Sequence, residues 1–223
     1  MKLLKEWQPD VMYLTTTDYV QHKYAPGVKE ANDFYEMFDV YLGQLDELGA
    51  AIVITGDHGM KPKHHADGSP NVIYIQDTLD SWLGEAAARV ILPITDPYVV
   101  HHGALGSFAT VYLPNDADRA DIITRLKQID GIEVVLGREE ACEKFGLPAD
   151  RIGDVVLTSG ENVTIGTSEH RHDLKALNEP LRSHGGLHEQ TVPFIINRQL
   201  NIEGANELRN FDAFYYATKA AAL

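Results

Sequence analysis

Five residues with metal-ligand side chains stand at three separated places in this 223-residue chain. They are Asp18 and His22 in TTTDYVQHKYAPG, Asp57 and His58 in VITGDHGM, and His184 in LRSHGGLHEQTVPFI. Carboxylate and imidazole are the usual ligands of zinc and similar borderline cations. Asp18 and His22 are four residues apart, which places both side chains on one face of a helical turn; the plainer alternative is a helix N-cap at Asp18 beside a solvated His22. Asp57 and His58 lie between Gly56 and Gly59, which let the backbone turn tightly; the plainer alternative is the polar tip of a turn after a strand. His184, taken alone, reads as a surface loop histidine more readily than as a ligand. What joins the three segments is that each lies against an apolar, strand-like run. An open α/β sheet binds its ligands there, beyond the carboxyl ends of its strands. Five ligands are too many for one tetrahedral site and too few for two.

The elements that must position these residues follow from periodicity. Residues 11–17 (VMYLTTT) read as a strand leading to Asp18. Residues 28–48 read as a long helix, with Val28, Ala31, Phe34, Tyr35, Phe38, Tyr41, Leu42, Leu45 and Leu48 on one buried stripe and Gly49 placed to end it. Residues 51–55 (AIVIT) form a short apolar strand of the kind covered on both faces of a parallel sheet. Strand, helix and strand in succession predict an α/β fold with a mostly parallel central sheet flanked by helices. Residues 71–75 read as a further strand, followed by a helix through about residue 88. Residues 89–169 form a cap-like α/β insertion containing RVILPIT, FATVYL, a helix near 116–128, IEVVLG, a helix near 139–145 and DVVLTS. Residues 1–88 and 170–223 make up the core. Residues 167–191 form a polar, His-rich loop, residues 192–196 (VPFII) return as a core strand, and the last helix lies near 207–219.

Composition narrows the partners. Hydrophobic content of 44% and charged content of 23% are ordinary for a globular chain. A formal net charge of −14 argues against nucleic acid or an anionic membrane as a partner. Cys142 is the single cysteine, so no internal disulfide forms and a reducing, cytoplasmic compartment is expected. No apolar run approaches the roughly 18 residues of a membrane-spanning helix.

The order D-x-x-x-H, G-D-H-G-M and S-H-G-G before a core strand resembles the alkaline phosphatase superfamily, in its nucleotide pyrophosphatase and phosphodiesterase branch. GDHGMKPKH and HDLKAL…PLRSHGG look most like the phosphonoacetate hydrolase group of that branch. The resemblance runs from about residue 9 to residue 196. It implies a hydrolase with two zinc ions, or manganese or iron in their place, ~4 Å apart across the displacement. It implies that Asp18, His22 and His184 hold one ion and that Asp57 and His58 hold part of the second. In the family an Asp after the first strand and a nucleophilic Thr complete the second site; neither is matched here, and Thr15, Thr16 and Thr17 belong to the run before Asp18. The expected activity is hydrolysis of the C–P bond of phosphonoacetate to acetate and phosphate, with the chain alone inactive for want of the nucleophile. The alternatives are a phosphodiesterase or nucleotide pyrophosphatase, or a truncated metal-binding chain without catalysis. Lys23, His64 and His102 are candidate substrate contacts. Lys61, Lys63 and His65 beside the ligand segments, His101 in the insertion, and Arg182 are further residues that could meet an anion; Lys23, Lys61, Lys63, His64 and His65 each read more readily as solvated loop residues, and His101 with His102 as a polar loop.

Overall fold

The computed structural model describes residues 2–93, 104–202 and 208–222. In chain order the elements are α1 (Lys2–Trp7), α2 (Tyr19–Lys23), α3 (Lys29–Glu47), β1 (Val53–Thr55), β2 (Lys61–Pro62), β3 (Val72–Tyr74), α4 (Ile75–Leu83), β4 (Arg89–Ile91), β5 (Phe108–Tyr112), α5 (Arg119–Leu126), β6 (Ile132–Gly137), α6 (Arg138–Phe145), β7 (Val155–Ser159), β8 (Thr164–Gly166), β9 (Arg182–Ser183), β10 (Phe194–Ile196) and α7 (Ala213–Ala221). The chain is a mixed α/β protein with small sheets, and it divides into two compact units, Met1–His58 with Thr191–Leu223, and Gly59–Gln190. The described residues of 89–169 lie inside the second unit.

Within the first unit, β1 pairs antiparallel with β10, Val53 opposite Ile196 and Thr55 opposite Phe194. Helix α7 packs on β1, and Tyr216 meets Phe194 edge-on with ring centroids 5.7 Å apart. The C-terminal end of α3 is tied to the end of β10: Asp46 accepts hydrogen bonds from Asn197 and Arg198, at 2.7 Å each. Two expectations change here. Residues 11–17 form no strand, and Val11, Tyr13 and Leu14 are exposed. β-Branched and aromatic residues favour extended backbone, but a strand needs a ladder partner, and this run has none among the described residues. The buried face of α3 is also narrower than its apolar stripe. Ala31 and Leu45 are buried and Phe34 stacks on Phe38, while Val28, Tyr35, Tyr41 and Leu48 are exposed.

The second unit is built on a four-stranded antiparallel sheet of order β4-β5-β7-β6. Side chains alternate across a strand, and here both faces are covered. Val155 and Leu157 of β7 join Ala109, Val111 and Val135 in a core with Ile75 and Leu79 of α4 and Ile122 and Leu126 of α5. Val156 and Leu136 point the other way, to Ala141 of α6 and Ile152. That is why every residue of β7 is buried. Asp118 starts α5 by accepting from the Ala120 and Asp121 amides. Strand direction differs from the mostly parallel sheet expected. Only β3 with β8 runs parallel among the described ladders; β1, β2 and the four-stranded sheet pair antiparallel. In the four-stranded sheet the runs are apolar because both faces are covered, a pattern usual for parallel sheets that this antiparallel one shares. The ends of this unit meet: the Gly59 amide donates to the Glu189 carbonyl at 2.6 Å.

Candidate metal centre

In the first unit Asp18 occupies the N-cap position of α2, yet its side chain makes no cap hydrogen bond. The His22 amide donates to the Asp18 carbonyl at 3.0 Å, closing one helical turn. That turn brings Asp18 Oδ2 to 3.0 Å from His22 Nε2. His22 is only 2% exposed, so it is not a solvated histidine. The loop after β1 adds to the same point, with His58 Nε2 3.8 Å from Asp18 Oδ2. His58 Nε2 also lies 3.6 Å from Asp57 Oδ2, and the Asp57 side chain is 84% exposed. Asp57 turns back on its own loop, its Oδ1 accepting from the His58 amide at 3.1 Å. One carboxylate oxygen thus faces imidazoles from two segments.

These donors suit a divalent cation. Ligands ~2.0–2.2 Å from a tetrahedral ion lie roughly 3.3–3.6 Å from one another. The Asp18–His22 separation of 3.0 Å lies just short of that span. The oxygen and nitrogen donor set is also the one that zinc, manganese and iron accept.

His184 belongs to the second unit and follows β9, whose register against β2 sets Lys61 opposite Ser183 and Pro62 opposite Arg182. The loop is held at several atoms. Ser183 Oγ donates to the Leu105 carbonyl at 2.5 Å, and the Ser107 amide donates to the His184 carbonyl at 2.8 Å. Gly185 has φ +100°, a conformation that a side chain would strain. The Gly186 amide donates to Glu189 Oε2 at 2.8 Å. The other oxygen, Glu189 Oε1, accepts from Lys63 Nζ at 2.9 Å, and both side chains are within 1% of complete burial. Lys63 Nζ also donates to the Glu161 carbonyl at 2.6 Å.

Burial pushes the Lys63 ammonium below its ordinary value, with the Glu189 hydrogen bond and charge acting against that shift. Neighbouring Lys61 moves the other way, raised by its hydrogen bond to Glu161. Both lysines therefore have protein carboxylates as partners, and Lys63 is not a solvated loop residue. Glu189 carries no local signal in the sequence. Its partner lies 126 positions away, so no local spacing marks it.

The other sequence candidates have varied surroundings. Lys23 lies over the Tyr19 ring, 5.4 Å from its centroid, with Nζ 3.4 Å from the Tyr19 hydroxyl. His64 is half-buried, its Nδ1 2.8 Å from the His65 carbonyl. His101 and His102 lie outside the described residues. Two further histidines of the His-rich loop are engaged elsewhere: His172 Nε2 accepts from the Thr167 amide at 3.0 Å, and His188 Nε2 pairs with Glu133 at 2.8 Å. Arg182 is buried.

The profile of the type I phosphodiesterase / nucleotide pyrophosphatase family matches residues 2–187. Crystal structures of phosphonoacetate hydrolase from Sinorhizobium meliloti 1021, in complex with phosphonoformate and with phosphonoacetate, match with a TM-score of 0.93 and 75% sequence identity. The match covers 99% of this chain and 54% of theirs, so the chain spans about half the length of those relatives. Murine ectonucleotide pyrophosphatase / phosphodiesterase 5 matches with a TM-score of 0.55 and 19% identity over 83% of this chain and 46% of that one, a likeness of fold alone. No helix among the described residues is long and apolar enough to cross a membrane. The chain belongs to the type I phosphodiesterase / nucleotide pyrophosphatase family.

Proposed function

We propose that this chain carries the metal-binding part of a hydrolase that cleaves the C–P bond of phosphonoacetate. The observation that carries the reading is its 75% identity, over 99% of its length, to a phosphonoacetate hydrolase solved with phosphonoacetate and with phosphonoformate. The meeting of Asp18 with His22 and His58 supports it. In this reading Asp18, His22 and His184 ligate one divalent ion, and Asp57 and His58 ligate a second. Such ions, when bound, supply Lewis-acid charge stabilisation for the oxygens of an in-line displacement. The residues contribute placement. The α2 turn fixes Asp18 and His22 together, the glycine-flanked loop after β1 presents Asp57 and His58, and β9 fixes where His184 begins.

The reaction consumes one water. A P–O bond forms, the P–C bond breaks, and its electron pair stays on the methylene carbon. The adjacent carboxylate delocalises that pair until the carbon takes a proton, giving acetate and phosphate. The resemblance gives the attacking oxygen to a Thr that no residue of this chain matches, so the 223 residues alone are expected to turn over little substrate.

The test is phosphate release from phosphonoacetate with added zinc, manganese or iron. It is run on these residues alone and on a chain as long as the S. meliloti enzyme that carries them, beside a nitrophenyl phosphodiester. Metal-dependent phosphate release by the longer chain supports the assignment. A clear preference for the diester would transfer the function to the phosphodiesterase class.

A further inference from the structure

We propose that Glu189 and Lys63 are positioning residues for metal binding, holding the His184 loop in its ligating shape before any ion arrives. This rests on the reading that His184 is a metal ligand. One carboxylate spans the two halves of the fixture. Glu189 Oε2 receives the Gly186 amide at 2.8 Å, two residues past His184. Glu189 Oε1 receives Lys63 Nζ at 2.9 Å, in the segment that follows β2. Lys63 is anchored independently through the Glu161 carbonyl at 2.6 Å. The Glu189 carbonyl accepts the Gly59 amide at 2.6 Å, one residue beyond His58.

Glu189 therefore joins the backbone just after His58 to the backbone just after His184, and Lys63 fixes its other carboxylate oxygen, entirely within the second unit. Both side chains are within 1% of full burial. A buried ion pair is weak evidence for stability, because desolvation cancels much of the attraction. Its geometric effect is the sharper one: with each oxygen of Glu189 committed to a different partner, the loop has little room to swing. Hydrogen-bonded groups that orient a metal ligand commonly change metal affinity 10–100-fold.

The experiment measures zinc affinity of the whole chain by competition with a chromophoric chelator, for the unaltered protein, Glu189→Gln, the double variant Lys63→Met/Glu189→Gln, and His184→Ala. Glu189→Gln keeps an acceptor for the Gly186 amide and removes the charge that holds Lys63. The expected result is weaker zinc binding in Glu189→Gln, by about 10-fold or more, in molecules whose circular dichroism still reports the native fold. If the single variant fails to fold, the double variant, which leaves no lone buried charge, gives the measurement and is expected to show the same loss. Zinc affinity within twofold of the unaltered chain in either folded variant overturns the proposal. If His184→Ala binds zinc normally, the ligand reading fails instead, which separates the two ideas. Amide exchange in the metal-free, unaltered chain gives a readout that needs no variant. The Gly186 amide is expected to be protected, and exchange at the open-chain rate would also overturn the proposal.

Discussion

Gly186→Ala tests how tightly the His184 loop is seated. A Cβ built at Gly186 lies 2.8 Å from Ser107 Cβ and 3.0 Å from Glu189 Oε2. Carbon atoms in good contact sit about 3.5–4.0 Å apart, so the methyl overlaps Ser107 by roughly 0.7–1.2 Å. Ser107 cannot turn away cheaply. It is fully buried, its amide holds the His184 carbonyl at 2.8 Å and its hydroxyl donates to the Val163 carbonyl at 3.1 Å. Overpacking of this kind costs about 1–3 kcal/mol. Moving the loop to relieve it stretches the charge-assisted bond from the Gly186 amide to Glu189, worth about 1.5–3 kcal/mol when intact. Partial loss of that bond brings the expected destabilisation to about 2–4 kcal/mol. Urea unfolding followed by fluorescence gives the value, because Trp82 packs against the core of the second unit and reports its opening. A change below about 0.5 kcal/mol, the usual range for an inconsequential surface substitution, would refute the argument that Ser107 and Glu189 fix this loop.

Two further outcomes are expected. Ser183→Ala removes the buried hydroxyl that donates to the Leu105 carbonyl; urea unfolding should show a loss of about 1–3 kcal/mol, and no loss would mean the carbonyl finds another donor at no cost. Asp46 has its carboxyl held below the ordinary value by hydrogen bonds from Arg198 and Asn197. A depressed folded-state value means that the stabilisation is present above the ordinary carboxylate range and is lost as pH falls through the folded-state value. Asp46→Asn should therefore flatten the acid limb of the stability curve measured by circular dichroism, and an unchanged acid limb would show that this clamp is not linked to folding.

Much of the fold was legible because its signals are local. The apolar runs that became β1, β5, β6 and β7, and the helical spacing of α3, α5 and α6, each identify themselves within a few residues. The pairing of Asp18 with His22 was legible for the same reason, a single helical turn. What escaped depends on partners distant in sequence. Residues 11–17 carry strand-forming side chains, but only a neighbouring ladder makes a strand of them. The stripe on α3 is wider than the face that is buried, since apolar spacing records what could be covered and not what is. The meeting of His58 with Asp18, and of Lys63 with Glu189, left no mark in local spacing. Lys63 in KPKHH resembles a solvated lysine until the carboxylate 126 residues later is placed against it.

The hydrogen bond from the Gly59 amide to the Glu189 carbonyl has a consequence for the order of folding. β1 and β10 pair across the whole intervening stretch 59–190. In an open chain, closing a loop of that length carries an entropic cost that must be met before the first ladder bond forms. The second unit has its own core, and its folded form holds Gly59 against Glu189, so where that unit folds first the loop closure is already met when β1 pairs with β10. The first unit is thus discontinuous in sequence, and the span of chain left to close between its two parts is short once residues 59 and 189 are held together. By the same logic, the bond between residues 58 and 59 and the bond between residues 190 and 191 are the natural points at which the inserted unit could be excised or transplanted as a module.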